Sequence, residues 1–173
     1  MINIHNPSEE SYVEMHRLAG DIDGLVQHPA HVYKIMCDHF GDSIFLAEVK
    51  DQLAEPVTMG MMLGLSSHKM SGLLFVWQIG VASDMQGAGL GSRLLSVTID
   101  HARNAGYQKV MATVETTNTG SQKLFEKHGF QVVSHNYAQP NHVLVNQHQK
   151  PAIQNYYGSG TDQIFYELKV QPG

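Results

Sequence analysis

The sequence predicts a mixed α/β domain, and three observations support this fold class. Short runs of alternating or continuous apolar residues, typical of strands, recur from residue 2 to residue 170. Segments with helical spacing of apolar residues lie between them. From residue 73 to residue 130, strand and helix alternate, which implies a right-handed crossover unit beside antiparallel strands. The 173 residues are expected to form one domain, 1–173.

The first 65 residues are predicted to form three strands and two helices. Ile2 and Ile4 alternate with polar residues, as expected for a short strand. Pro7-Ser8 followed by two glutamates is typical of a helix start, because acidic side chains in the first turn interact favourably with the helix dipole. Gly20 and Gly24 are expected to end this helix. A second helix is predicted at 30–40, and strands are predicted at 43–49 and 57–65.

The remaining elements begin with an almost wholly apolar run at 73–81, typical of a central strand buried on both faces. Helices are predicted at 90–105 and 119–128, because Gly106 and Gly129 are placed to end them. The polar segment 138–162 is too long for a plain connection, so we expect it to be functional or mobile. The last three strands are predicted at 110–116, 131–134 and 164–170.

The composition restricts the classes of function. A formal net charge of −5 leaves no basic excess to neutralise phosphates, so no nucleic-acid partner is expected. The longest apolar runs are strand-sized and the N-terminus lacks the pattern of a secretion signal, so no membrane association is expected. The single cysteine, Cys37, excludes an internal disulfide and suits a reducing cytoplasm. The eleven histidines lack metal-ligand spacing, so no metal site is expected.

The loop Gln86-Gly87-Ala88-Gly89-Leu90-Gly91 lies between a predicted buried strand and an amphipathic helix. A helix N-terminus binds phosphate without basic side chains, because its backbone N–H groups are unpaired and partly positive. A Walker loop is excluded, because no lysine follows the glycines. A dinucleotide fingerprint is excluded, because its third glycine would fall on Leu94 or Ser92. A phosphate-binding loop and a plain glycine-capped turn both remain open.

Two motifs resemble the signatures of the GNAT superfamily of N-acetyltransferases. Its Arg/Gln-x-x-Gly-x-Gly/Ala signature is matched by Gln86, Gly89 and Gly91. Its second segment is matched by Asn118, Ser121, Phe125, Gly129 and Phe130. The resemblance covers residues 73–130. It implies a GNAT fold, with about six to seven mostly antiparallel strands, a parallel and splayed central pair, and about four flanking helices. It also implies acetyl-CoA as the acetyl donor.

The resemblance further implies where acetyl-CoA binds. The backbone at Ile79 and Val81, on either side of Gly80, is expected to pair with the pantetheine arm as an added strand would. The far side is expected to be lined by Asn118, Ser121 and Phe125. The pyrophosphate is expected to bind the amides of Gln86, Gly87, Ala88, Gly89, Leu90, Gly91 and Ser92.

Acetyl transfer to a primary amine requires a base, because an amine with a pKa of about 10 is protonated at neutral pH and cannot attack. Glu115, at the end of a predicted central strand, is the candidate base; a solvated carboxylate is the alternative. Backbone amides near 79–81 are expected to stabilise the oxyanion. Many family members have a tyrosine where this chain has Phe125, so the proton donor to the leaving thiolate is left open between water and a tyrosine of the 156–166 region.

A narrower resemblance, to the diaminobutyrate acetyltransferases of ectoine biosynthesis, lies in Phe75-Val76-Trp77-Gln78 and Glu115-Thr116-Thr117. It implies that Trp77 walls the acceptor site, although a core tryptophan is the alternative. It also places Asp162 near an acidic residue that contacts substrate in those enzymes. Val26 stands where those enzymes have the acidic side chain expected to hold the substrate's ammonium. Diaminobutyrate itself is therefore expected to be a poor substrate.

Three functions remain open at this stage. The preferred one is an N-acetyltransferase acting on a primary amine of a small molecule, either diaminobutyrate-like or another small amine. The second is acetylation of a protein N-terminus or lysine. The third is an acetyl-CoA-binding sensor without activity, which Phe125 favours, whereas Glu115 and Trp77 argue against it. A homodimer is left open.

Overall fold

The computed structural model describes residues 1–50, 55–137, 143–145 and 150–171, with 143–145 described as backbone. These residues contain four α-helices: α1 (Tyr12–Asp21), α2 (Ala30–Phe40), α3 (Leu90–Asn104) and α4 (Thr119–Lys127). The strands are β1 (Ile2–His5), β2 (Ile44–Val49), β3 (Val57–Ser66), β4 (Leu73–Val81), β5 (Lys109–Glu115), β6 (Gln131–Val132), β7 (Val143–Val145), β8 (Pro151–Ile153) and β9 (Gln163–Lys169).

These strands form one sheet in the order β1-β2-β3-β4-β5-β9-β8-β7, and β6 pairs with β9. The pair β4–β5 is parallel and the other pairs are antiparallel. The mixed α/β class, the parallel central pair and the four helices are confirmed. Among the described residues, no helix is long and apolar enough to cross a membrane.

Helices cover both faces of the sheet. Apolar residues of α3 and α4, such as Leu94 and Phe125, pack with Val76 and Ala112 of the central strands. Residues of α1 and α2, such as Met15 and Tyr33, pack on the other face with Met61, Leu63 and Trp77. We call these two surfaces the α3 face and the α1 face. The apolar residues of the strands and helices therefore form a hydrophobic core on each face of the sheet.

The central pair β4–β5 separates part-way along its length. Its parallel pairing runs from Leu73↔Lys109 to Val76↔Ala112 and then stops. At the same point β4 contains a bulge, because Leu63 of β3 pairs with Gln78 and Gly64 pairs with Val76, which leaves Trp77 as the extra residue. A bulge bends its strand and increases its local twist. The bulge and the strand separation together open the sheet beyond Val76.

Helix α1 begins at Tyr12, so the predicted start at Ser8 is wrong. The intervening residues form a turn instead, in which the Ser8 N–H donates to Ser11 Oγ at 3.0 Å and the Ser11 N–H donates to the Ser8 carbonyl at 3.2 Å. Serine side chains often offer the backbone such an alternative to helix. The predicted end is confirmed, because α1 ends at Asp21, between Gly20 and Gly24.

The polar segment 138–162, expected to be functional or mobile, contributes β7 and β8 to the sheet. Leu144 pairs with Ala152, and Ile153 pairs with Gln163 of β9. Each strand has three residues, too few for a periodic pattern to indicate it. The expectation that this segment is mobile lies partly outside the described residues, at 138–142 and 146–149.

Candidate functional site

A cleft of about 560 Å³ lies where β4 and β5 separate. Side chains alternate along a strand, so Val76, Ala112 and Val114 belong to the α3 face, and Thr113 and Glu115 belong to the α1 face. The cleft therefore passes through the sheet. We call its two openings the α3 mouth and the α1 mouth. Its lining consists of Gly24, Leu25, Val26, His28, Val76, Trp77, Gln78, Ile79, Ala112, Thr113, Val114, Glu115, Asn118, Ser121, Phe125, Tyr157, Thr161 and Gln163.

The loop 86–92 connects β4 to α3 and has the backbone of an anion site. Gly87 and Gly89 have φ angles of +81° and +83°, and a Cβ atom at either position would meet no atom within 4 Å. Glycine is therefore favoured at these two positions by the left-handed backbone conformation and not by close neighbouring atoms. The space beside the loop is open. The backbone N–H groups of residues 89–92 donate to no acceptor in the described part of the chain. Gln86 Nε2 donates to the Val81 carbonyl at 3.2 Å and fixes the loop to the end of β4.

The turn from β5 into α4 is held by a residue that sequence reasoning missed. Gln122 is 2% exposed, and its Nε2 donates to the carbonyls of Glu115 at 3.2 Å and Thr116 at 3.0 Å. Asn118 Oδ1 accepts from the Ser121 N–H at 2.9 Å and caps the helix. The amide of Gln122 thus fixes the backbone that presents Glu115. An amide in the middle of a helix gives no local signal of such a role.

Phe125 is 1% exposed and lies at the α3 mouth. Its ring is stacked on Tyr166 with centroids 5.9 Å apart. The Tyr166 hydroxyl donates to Glu126 Oε1 at 2.8 Å, and burial together with this bond raises the pKa of Tyr166 far above its ordinary value. That hydroxyl is engaged away from the cleft. Of the tyrosines in the 156–166 region, Tyr157 lines the cleft.

Tyr157 stands at the α1 mouth beside the separated strands. Its hydroxyl lies 3.0 Å from Thr113 Oγ1, and Thr113 is the first β5 residue beyond the pairing with β4. Tyr157 is 56% exposed, and the partial desolvation of its ring at the mouth raises its pKa, so its hydroxyl holds a proton at neutral pH. The neighbouring Tyr156 packs edge-on against Phe165, with centroids 4.8 Å apart.

The opposite wall of the α1 mouth is the connection between α1 and α2. His28 stacks on Trp77 with ring centroids 4.7 Å apart and an interplanar angle of 30°. Val26 is 64% exposed and lines the cleft, so no acidic side chain stands there. The connection lies close to β4 at Gly80, where a Cβ atom would be 2.8 Å from Ile22 Cδ1. Glycine at this position permits the close approach.

The cleft is lined by few charged side chains. Glu115 is the one carboxylate in its described lining, and no lysine or arginine belongs to that lining. The Glu115 carboxylate has no hydrogen bond or ion pair within the described ranges, and its side chain is exposed. Over the same residues, no group of three or more His, Cys, Asp or Glu side chains is placed to hold a metal ion.

Asp162 lies next to the cleft without lining it. Its Oδ1 accepts from the Asn155 N–H at 2.9 Å, and its carbonyl accepts from the Thr116 N–H at 3.2 Å. Its neighbours Thr161 and Gln163 line the cleft. The carboxylate of Asp162 therefore braces the turn that presents Tyr157.

The model of the acetyltransferase (GNAT) family matches residues 10–130 of this chain. The chain belongs to this family. It is 31% identical to an L-2,4-diaminobutyric acid acetyltransferase from Shouchella clausii (strain KSM-K16) over 127 residues, which are 73% of this chain and 68% of the relative. The GNAT resemblance, the enzyme class and acetyl-CoA as acetyl donor are thereby confirmed.

Two solved structures share the GNAT fold with this chain. A diaminobutyrate acetyltransferase from Paenibacillus lautus, in complex with its substrate and coenzyme A, has a TM-score of 0.74 at 18% identity, covering 98% of this chain and 95% of that one. A ribosomal-protein-S18-alanine N-acetyltransferase from Escherichia coli has a TM-score of 0.70 at 16% identity, covering 100% and 96%. Because one acetylates a small molecule and the other a protein, the fold alone does not identify the acceptor.

Proposed function

We propose that this GNAT acetyltransferase transfers the acetyl group of acetyl-CoA to a primary amine of a small molecule. The observation that supports it best is the cleft through the sheet. The loop that would bind the pyrophosphate leads into α3, whose first residue, Leu90, packs on the α3 face. Glu115 lines the cleft together with Trp77 and Tyr157 on its α1 side. The two substrates can thus meet from opposite faces.

The residues at the α3 mouth fit acetyl-CoA, which supplies an activated acetyl group as a thioester. The free amides of residues 89–92, with the open space beside Gly87 and Gly89, suit the pyrophosphate. The pyrophosphate site would include Gln86, Ala88, Leu90, Gly91 and Ser92. The edge of β4 at Ile79, Gly80 and Val81 has no β5 partner and suits the pantetheine arm. Asn118, Ser121 and Phe125 would line the far side.

At the α1 mouth, Glu115 would accept the proton of the acceptor's ammonium, directly or through water. Backbone N–H groups near 79–81 would stabilise negative charge on the acetyl oxygen. Tyr157 lines the cleft with its proton in place, so it would return a proton to the thiolate, with water as the alternative. Trp77 would form a wall of the acceptor site, and Asp162 would act by holding the turn of Tyr157.

The charges in the cleft favour an acceptor with one ammonium group. Glu115 can pair with one cation, and no basic side chain among the described lining residues would pair with a substrate carboxylate. A buried charge without a partner is costly. Diaminobutyric acid, named in relatives, has two amines and a carboxylate, so its acetylation is expected to be slow.

The test measures thiol release from acetyl-CoA with a panel of acceptors: aliphatic amines, polyamines, diaminobutyrate and an alanine-initiated peptide. We expect at least one small amine to exceed the peptide tenfold or more in kcat/KM. A preference for the peptide, or no release with any amine, would refute the proposal.

Sedimentation of the same preparation decides whether the chain forms a homodimer. We place the activity in the cytoplasm, because the single cysteine, Cys37, is buried and free.

A further inference from the structure

A second pocket, of about 300 Å³, lies beside the α1 mouth. We call it the side pocket. Thr113 and Tyr157 line both the side pocket and the cleft, and their hydroxyl oxygens are 3.0 Å apart. The two cavities therefore adjoin at this pair of side chains. The side pocket is also lined by Leu65, Ser66, Ser67, Met70, Leu73, Phe75, Met111, Tyr156 and Phe165.

The floor of the side pocket is apolar. Leu73, Met111 and Phe165 are each less than 5% exposed and form a separate core cluster, against which Phe75 and Met70 pack. No charged side chain occurs in the described lining. The polar groups at the rim are hydroxyls, and Ser67 Oγ already accepts from the Met70 N–H at 3.0 Å. A charged group placed here would lose its hydration without gaining a partner.

The turn that carries Tyr157 is held by its own hydrogen bonds. The Tyr157 N–H donates to Thr161 Oγ1 at 3.1 Å, and Thr161 Oγ1 donates to the Gly158 carbonyl at 2.7 Å. The Gly160 N–H donates to Asn155 Oδ1 at 2.7 Å. The turn that borders both cavities is therefore pre-formed, as is usual for small-molecule sites.

We propose that the side pocket is a subsite for the uncharged, apolar body of the acceptor amine, whose amino group lies at Glu115. This inference rests on the proposed function and specifies its substrate class as alkyl or arylalkyl monoamines. Three observations converge on this class. The cleft offers one carboxylate for one ammonium, its described lining has no cation for a substrate carboxylate, and the adjoining cavity is apolar. A volume of about 300 Å³ is at the lower end for ligand sites and suits a phenyl ring or a short alkyl chain.

The test compares 2-phenylethylamine with ethylamine, which has the same amino group but almost no apolar body. In the unaltered enzyme we expect kcat/KM to be at least tenfold higher for 2-phenylethylamine. Leu65→Trp, at the strand position opposite Phe75 in the lining, should lower this ratio at least fivefold by filling the pocket. Ser71→Trp, exposed in the β3–β4 connection and outside the lining, should leave the ratio unchanged. Met70→Asp, which places a charge at the rim, should lower the ratio as well.

Calorimetric binding of 2-phenylethylamine to the CoA-saturated enzyme gives a readout that needs no turnover. Equal kcat/KM for the two amines, or a ratio that neither Leu65→Trp nor Met70→Asp changes, would overturn the subsite. Two results together would overturn the proposed function and support the subsite: no thiol release with any amine, and binding of 2-phenylethylamine that Leu65→Trp abolishes. If Leu65→Trp fails to fold, Met70→Asp alone decides.

Discussion

The side-chain amide of Gln78 donates a hydrogen bond to the backbone carbonyl of Val26 at 2.8 Å. Its Oε1 atom accepts from the Tyr33 hydroxyl at 3.4 Å, and the side chain is buried. The Tyr33 hydroxyl in turn accepts from the His28 N–H at 3.3 Å. One polar residue next to the β4 bulge therefore fixes the wall of the α1 mouth to the sheet.

Replacing Gln78 by leucine should impair acceptor binding more than acetyl-CoA binding. The substitution removes one hydrogen bond from the Val26 carbonyl and one from the Tyr33 hydroxyl, at a cost of about 1–3 kcal/mol in the free energy of unfolding. The KM of the amine should rise several-fold, and that of acetyl-CoA should change little. Gln131→Leu, at an exposed strand position, is the control. An equal rise in both KM values would show that Gln78 does not act through the α1 mouth.

Replacing Gly89 by valine should abolish the thermal stabilisation by CoA. Binding to the native state raises its melting temperature, so unaltered protein should respond to CoA or acetyl-CoA and far less to NADH or ATP. The control is Gly106→Val, because Gly106 also has a positive φ, of +79°, and open space beside it. Both variants bear similar backbone strain of about 1–3 kcal/mol, but Gly106 ends α3 instead of starting it. A retained CoA response in Gly89→Val would exclude this loop as the pyrophosphate site.

Replacing Glu115 by glutamine should lower kcat/KM about 100-fold at neutral pH and less in alkali. At high pH more of the acceptor amine is already neutral, so the reaction depends less on a base. The measurement is a pH–rate profile of both enzymes with one amine. Glu10→Gln, on the exposed turn before α1, should follow the unaltered profile. A loss in Glu115→Gln that is the same at every pH would assign Glu115 to binding or structure.

Replacing Val26 by aspartate should improve diaminobutyrate selectively. Val26 is 64% exposed, so the new carboxylate stays hydrated in the free enzyme and can pair with a second ammonium. We expect kcat/KM for diaminobutyrate to rise about tenfold, with ethylamine changed less than twofold. Val26→Asn has the same shape without the charge and serves as control. A clear preference of the unaltered enzyme for diaminobutyrate would show that other residues hold this substrate.

The pair Glu126–Lys150 should make stability depend on pH. The Lys150 ammonium and, more weakly, the Tyr166 hydroxyl hold the pKa of Glu126 below its ordinary value of 4.5. A lowered pKa in the folded state stabilises the protein fully above about pH 4.5, and this contribution is lost as the pH falls through the folded value. Glu126→Gln should therefore lower the free energy of unfolding at pH 7 by about 1 kcal/mol or less, because the pair is partly exposed. Denaturant titrations at pH 7 and pH 3 should show this difference shrinking, and a constant difference would contradict the assignment.

Local sequence signals were sufficient for the loop 86–92 and for the buried strand β4, because helix starts and strand periodicity depend on nearby residues. They placed Glu115 at the end of β5, where the strands separate. They could not indicate that Gln78 and Gln122 hold the two walls, because those roles depend on carbonyl groups brought near by folding. The start of α1 was misplaced for a similar reason, since two serines that bond to each other compete with the helix.

The α1 mouth is built from two parts of the chain. Val26, Trp77 and Glu115 fall within residues 10–130, which the family model matches, whereas the turn that carries Tyr157 lies beyond that range. A substitution at an exposed position of this turn can therefore alter the acceptor side of the cleft while the sequence of the loop 86–92 stays the same.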